Sequence, residues 1–174
     1  SYHEKIIMQQ LGYLAARLVV MCDKAVDILQ QHYNIPAWKI SKIEHGAPLY
    51  PLPSRETAKT QLTCSNRKVL LTFGLISPNK GIETVIEALP AVVDQHPDIL
   101  YIIVGRTHPG VVAHQGEAYR HRLQQRVHER NLKSNVRFVD KFVGEAELFN
   151  YIAASDICIT PFINQAQITS GTLT

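Results

Sequence analysis

The sequence predicts a parallel α/β sheet covered by helices on both faces, and three observations carry that expectation. Short apolar runs suited to buried strands recur at residues 69–73, 99–104, 136–139 and 156–160. Amphipathic stretches long enough for helices separate them, at 80–95, 117–131 and 145–154. Strands that are mostly apolar along their length, rather than alternating, belong to sheets buried on both sides, and strand–helix alternation makes such sheets parallel.

Taken in order, the chain opens with a predicted helix around residues 3–15, apolar at Ile7, Leu11 and Leu14. A strand-like run at 18–22 follows, and Asp23 stands where an N-cap would open a helix reaching about Tyr33. Residues 39–44 read as a short strand ending at His45-Gly46. Pro48, Pro51 and Pro53, followed by a polar run to Arg67, then break the pattern. The predicted organisation is a first segment at 1–46, a linker at 47–67 and an α/β domain at 68–174. Within that domain Pro90 falls inside a predicted helix, which it should bend or split.

At 174 residues, the chain can hold one sizeable core, or one core and part of another. Hydrophobic residues make up 45% and charged residues 19%, an ordinary globular composition. The net charge of +3 is spread among scattered lysines and arginines, which argues against a nucleic-acid partner. Cys22, Cys64 and Cys158 are widely spaced and odd in number, so neither a disulfide framework nor a zinc site is expected; a reducing compartment is. The early apolar stretch at 11–22 contains Arg17 and is too short to span a bilayer. None of the eight histidines pairs with a carboxylate at metal-binding spacing, so no metal is expected.

In such a sheet, ligands bind at the carboxyl ends of the strands. The loop after Phe73 carries Gly74, then Lys80 and Gly81 just before a helix. Free N–H groups and the positive dipole end of a helix, with a nearby lysine, suit a phosphate or diphosphate. Taken alone, this is also the look of an ordinary turn. The spacing matches neither the dinucleotide Gly-x-Gly-x-x-Gly fingerprint nor a P-loop. A second device of this kind is Thr169-Ser170-Gly171-Thr172, whose alternative reading is a simple helix N-cap. Because a helix should begin there, the natural chain is expected to extend past Thr174, and past Ser1 as well.

Four stretches together resemble the group 1 glycosyltransferases, the large retaining family of the GT-B fold with glycogen-synthase-like and lipopolysaccharide or capsule mannosyl- and glucosyltransferases. RLVVMCDKAVDILQQHYNIPAWKISKIEHG, at 17–46, is similar to the end of the family's first domain and its crossing into the second. FGLISPNKGIETVIEAL is similar to its first phosphate loop, LYIIVGRTHPG to a strand and glycine turn, and YIAASDICITPF to the segment before the second phosphate loop. The implied fold is the Rossmann-like C-terminal half of a GT-B enzyme. By this resemblance Gly74, Lys80, Ser170, Gly171 and Thr172 would hold the donor diphosphate. His45, Gly46, Gly105 and Gln167 would face the donor sugar or cleft, with His108 near Gly105, and Val139, Asp140 and Lys141 would meet the nucleotide base. Leu75 stands where many members have a partner arginine, and Gln167 near where many have a glutamate. Catalytic residues are left unassigned.

The resemblance implies transfer of a sugar from a nucleotide-diphosphate donor to a hydroxyl acceptor, without metal or other cofactor, in polysaccharide or glycoconjugate synthesis. The acceptor domain would be a missing partner, so the isolated chain is expected to be inactive, and bare apolar faces would favour self-association. A location in the cytoplasm or at the inner membrane face is implied. A non-catalytic nucleotide-sugar-binding or interaction module, and a nucleotide-sugar epimerase of the same architecture, remain open alternatives at this level.

Overall fold

The structure is a computed structural model that describes residues 2–164. The chain divides into two compact units, one holding residues 2–48 and the other Leu49–Asn164.

The first unit contains helix α1 (Tyr2–Leu14), strand β1 (Leu18–Val20), helix α2 (Asp23–Tyr33) and strand β2 (Ile40–Lys42). β1 and β2 pair in parallel, with Leu18 opposite Ile40. Asp23 is the first helical residue of α2, and Cys22 occupies the cap position expected for it. Asn34 ends α2 in the left-handed conformation, φ 55°, a site asparagine tolerates. Lys39 Nζ donates to the carbonyls of Gly12 and Tyr13 at 2.8 and 2.7 Å, satisfying the carboxyl end of α1.

The second unit begins with helix α3 (Arg55–Gln61), inside the stretch expected to be a linker. Ser54 caps it by accepting from the Thr57 N–H at 3.1 Å, and fully buried Ala58 faces helix α7 (Glu145–Ala154). Seven residues with one apolar position show no periodicity, so the helix is invisible until a partner surface is supplied. Strands β3 (Lys68–Phe73), β4 (Ile99–Val104), β5 (Val136–Val139) and β6 (Ile157–Cys158) form one sheet in the order β5-β4-β3-β6, parallel throughout. Helix α4 (Ile82–Gln95) joins β3 to β4. Helices α5 (Pro109–Gln115) and α6 (Ala118–Glu129) join β4 to β5, and α7 joins β5 to β6.

Alternation along the strands divides the core. Leu70, Tyr101 and Ile103 pack with Ile82, Ile86 and Leu89 of α4 and Leu123 and Val127 of α6. Val69, Leu71, Leu100, Ile102 and Val104 face the other way, towards Tyr151 and Cys64. The sheet is thus covered on both faces, as its apolar strands require. Burial pushes the Tyr101 hydroxyl pKa up to about 12, and this hydroxyl donates to Thr72 Oγ1 at 2.8 Å. Thr72 in turn donates to the Ile159 carbonyl at 2.7 Å, which prolongs the β3–β6 contact beyond two-residue β6.

Two expectations change here. Pro90 does not split its helix: α4 runs unbroken through it. Residues 108–110, expected as a turn, start α5, with Pro109 in the first turn and His108 at the cap.

Candidate functional site at the carboxyl ends of the second sheet

The order in which strands are added reverses about β3, with β4 and β5 on one side and β6 on the other. Such a switch point opens a crevice beyond the carboxyl ends of the strands. Here the loops after β3 and β6 meet. Gly81 is left-handed, φ 63°, and a Cβ on it would fall 2.0 Å from the Pro161 carbonyl oxygen, so only glycine fits. The Ile163 N–H donates to the Asn79 carbonyl at 3.2 Å across the same junction.

Lys80, in the 3-10 turn Pro78–Lys80, stands at this junction with its Nζ 4.4 Å from the centre of the Phe162 ring. Its side chain is half-buried, and burial lowers the ammonium pKa below the ordinary lysine value.

The loops after β3 and β4 are also pressed together. Gly105 has φ 141°, and a Cβ there would lie 2.1 Å from the Gly74 carbonyl oxygen. Beyond the strand ends the two loops go on pairing, Ile76 N–H to the Arg106 carbonyl and His108 N–H to the Ile76 carbonyl, both at 2.8 Å. Gly74 and Gly105 therefore bring bare backbone to the mouth of the sheet.

Two hollows open there. One of about 190 Å³ is lined by Phe73, Gly74, Gly105, Lys141, Phe142 and Leu148, among others. Its neighbour, about 860 Å³, is lined by Thr107, Val112, Glu117 and Asp140, among others, with Leu75, Arg106 and Phe142 shared by both. Lys141 is paired with Glu147 at 2.7 Å, and that bond raises its pKa.

Among the residues expected at the site, Gly74, Lys80, Gly105, Val139, Asp140 and Lys141 gather at this one end of the sheet. His45 and Gly46 belong to the first unit, in the irregular segment after β2. Gln167, Ser170, Gly171 and Thr172 lie outside the described residues. His108 serves structure: its Nδ1 accepts from the Gly110 N–H at 3.0 Å and caps α5. Asp156 reaches far along the sequence, accepting from Lys59 Nζ and the Val69 N–H, both at 2.7 Å.

The sequence reading missed Arg120, whose side chain is only 3% exposed beneath the loops after β4 and β5. One signal was available. Arg120, Leu123 and Val127 share a helical stripe by spacing, and an arginine on an apolar stripe must turn inward to partners or leave the face. Phe142 and Arg106, exposed at the rim, carried no such signal.

Among the described residues no cluster of three metal-ligating side chains occurs, and no helix is long and apolar enough to cross a membrane.

A doubly covered parallel sheet with glycine loops at its switch point defines a Rossmann-like α/β domain. Residues 54–166 match the family model for glycosyl transferases group 1, and the chain belongs to that family. Among curated relatives it is 29% identical to the D-inositol 3-phosphate glycosyltransferase of Corynebacterium glutamicum, over 95% of this chain and 40% of that protein. Its fold is similar to Anabaena HepE solved in complex with UDP, with a TM-score of 0.71, 21% identity, and coverage of 91% of this chain and 41% of the other. A glycosyltransferase from Rickettsia africae is comparable, with a TM-score of 0.69, 17% identity, and coverage of 91% and 42%. The chain thus spans about two fifths of the length of these relatives.

Proposed function

We propose that this chain is the donor-binding half of a glycosyltransferase that moves a sugar from a nucleoside diphosphate to a hydroxyl acceptor. The observation that carries the reading is Lys80: a half-buried cation at the switch point, with the Gly74 backbone on the same loop. When the glycosidic bond to the donor breaks, negative charge builds on the departing diphosphate. A fixed cation and oriented N–H groups lower the barrier by meeting that charge where it develops. Lys80 supplies the cation, and by family resemblance Ser170, Gly171 and Thr172 are assigned further N–H groups. No divalent ion is assigned a part in this reading.

The nucleoside would lie against the loops after β4 and β5, near Val139, Asp140 and Lys141. HepE, a protein of similar fold, was solved with UDP, so uridine is the first base to test. His45, Gly46 and Gln167 are assigned to the sugar side of the cleft by family resemblance. The acceptor site, and with it transfer, is assigned to a further domain, since the chain spans 41% of the UDP-bound relative. A cytoplasmic setting goes with such a donor.

The test is calorimetric titration of the chain, and of Lys80→Ala, with UDP, GDP and ADP and their sugars, with and without a chelator. One nucleotide should bind regardless of chelator, and Lys80→Ala should weaken it by roughly tenfold or more. A folded chain that binds none of them would overturn the proposal.

A further inference from the structure

Arg120 lies behind both hollows and joins their walls. Its Nη2 donates to the Gly105 carbonyl at 2.7 Å and pairs with Asp140 Oδ1 at 3.0 Å, so one nitrogen ties the exit of β4 to the exit of β5. Its Nε donates to Thr107 Oγ1 at 3.2 Å and lies 3.4 Å from Glu117 Oε2. Thr107 donates to the same Glu117 oxygen at 2.5 Å. Gly105 lines the smaller hollow, while Thr107, Glu117 and Asp140 line the larger one. Arg120 itself lines neither.

The geometry points to Arg120 as the positioning residue of the nucleoside side of the site, an inference that rests on the donor-binding reading above. A buried guanidinium is costly unless several acceptors surround it. Here those acceptors come from three separate places: the β4 exit, the β5 exit and the turn entering α6. Satisfying one planar fork sets all three at once, in a way that a flexible ammonium cannot reproduce. Nη1 is buried without a hydrogen-bond partner, so the charge is held for the loops that Nη2 and Nε reach, at the expense of full pairing. Lys80 and the Phe162 ring stand on the β3 and β6 loops, whereas the hydrogen bonds and ion pairs of Arg120 among the described residues go to Gly105, Thr107, Glu117 and Asp140. Donor recognition therefore divides in two, with a phosphate side set by Lys80 and a nucleoside side set by Arg120.

That division is what the experiment reads. Arg120→Met and Arg120→Lys, each shown by circular dichroism to be folded at the titration temperature, are titrated with UDP, GDP, ADP and inorganic pyrophosphate beside the parent chain. For the nucleotide the parent binds, affinity should fall about tenfold or more in Arg120→Met and recover in part in Arg120→Lys. Pyrophosphate affinity should stay within about twofold, a result that a general loss of packing would not give. Should Arg120→Met fail to fold, Arg120→Lys alone must show the selective loss of nucleotide affinity. Nucleotide affinity unchanged in every folded variant, or nucleotide and pyrophosphate lost in parallel, overturns the inference and leaves the donor reading standing. A folded parent that binds no nucleotide overturns both.

Discussion

At the scale of single residues, the site is made by a few positions where no other residue type would serve. Gly105 combines a positive φ with a neighbouring carbonyl oxygen 2.1 Å from where a Cβ would sit. Gly105→Ala must either move the β3 and β4 loops apart or strain the backbone. It should lower stability by about 2 kcal/mol or more and abolish nucleotide binding. Chemical denaturation with parallel calorimetry checks both, and an alanine variant of parental stability would refute the close approach. Lys80 and Arg120 illustrate two fates for a buried cation. Lys80 is partly desolvated beside the Phe162 ring, and the proposal gives it a ligand; Arg120 is enclosed by acceptors from the loops around it.

At the scale of elements, Pro90 is the informative departure. The sequence rule that proline ends or splits a helix is a local rule, because proline lacks an N–H and crowds the preceding turn. In α4 the flanking Ile82, Ile86 and Leu89 are all buried against the sheet, and that packing carries the helix through the defect. Pro90→Ala should therefore restore a helical hydrogen bond and raise the melting temperature, offset in part by a freer unfolded chain. A lower melting temperature in the variant would show that the proline packs better than the hydrogen bond repays. Helices α3 and α5 were missed for the opposite reason. Each has seven residues, too few for an apolar period to declare itself, and each depends on a cap and a partner surface.

At the scale of the whole molecule, Asp156 joins parts of the second unit that are distant in sequence. Burial would raise its carboxyl pKa, but Lys59, the Val69 N–H and Arg55 outweigh that and hold it below the ordinary value of 3.8. A carboxyl whose folded pKa is depressed stabilises the fold above its unfolded pKa, and loses that contribution as pH falls through the folded one. Asp156→Asn should therefore melt lower than the parent near pH 7, with the gap closing as pH drops below about 3.8. Thermal melts of both chains across that range decide it, and a gap that does not narrow would assign the stabilisation elsewhere.

Read alone, the sequence was enough for the parallel α/β class, the order of the strands and long helices of the second unit, and the family. The class and the order follow from apolar periodicity and loop composition, which act over a few neighbouring residues and are written in consecutive letters, while the family rested on the resemblance of four stretches taken together. It also drew attention to Gly74 and Lys80 by their place at a strand exit before a helix, and to Gly105 by family resemblance; the structure places all three at the carboxyl end of the sheet. Tertiary structure alone decided that α3 belongs to the second unit, that Asp156 reaches Lys59, and that Arg120 turns inward to Gly105 and Asp140. Those contacts join residues separated by up to 97 positions, and their energy exists only after the sheet has brought its strand ends together. No local pattern names these partners, since each lies on an element distant in sequence.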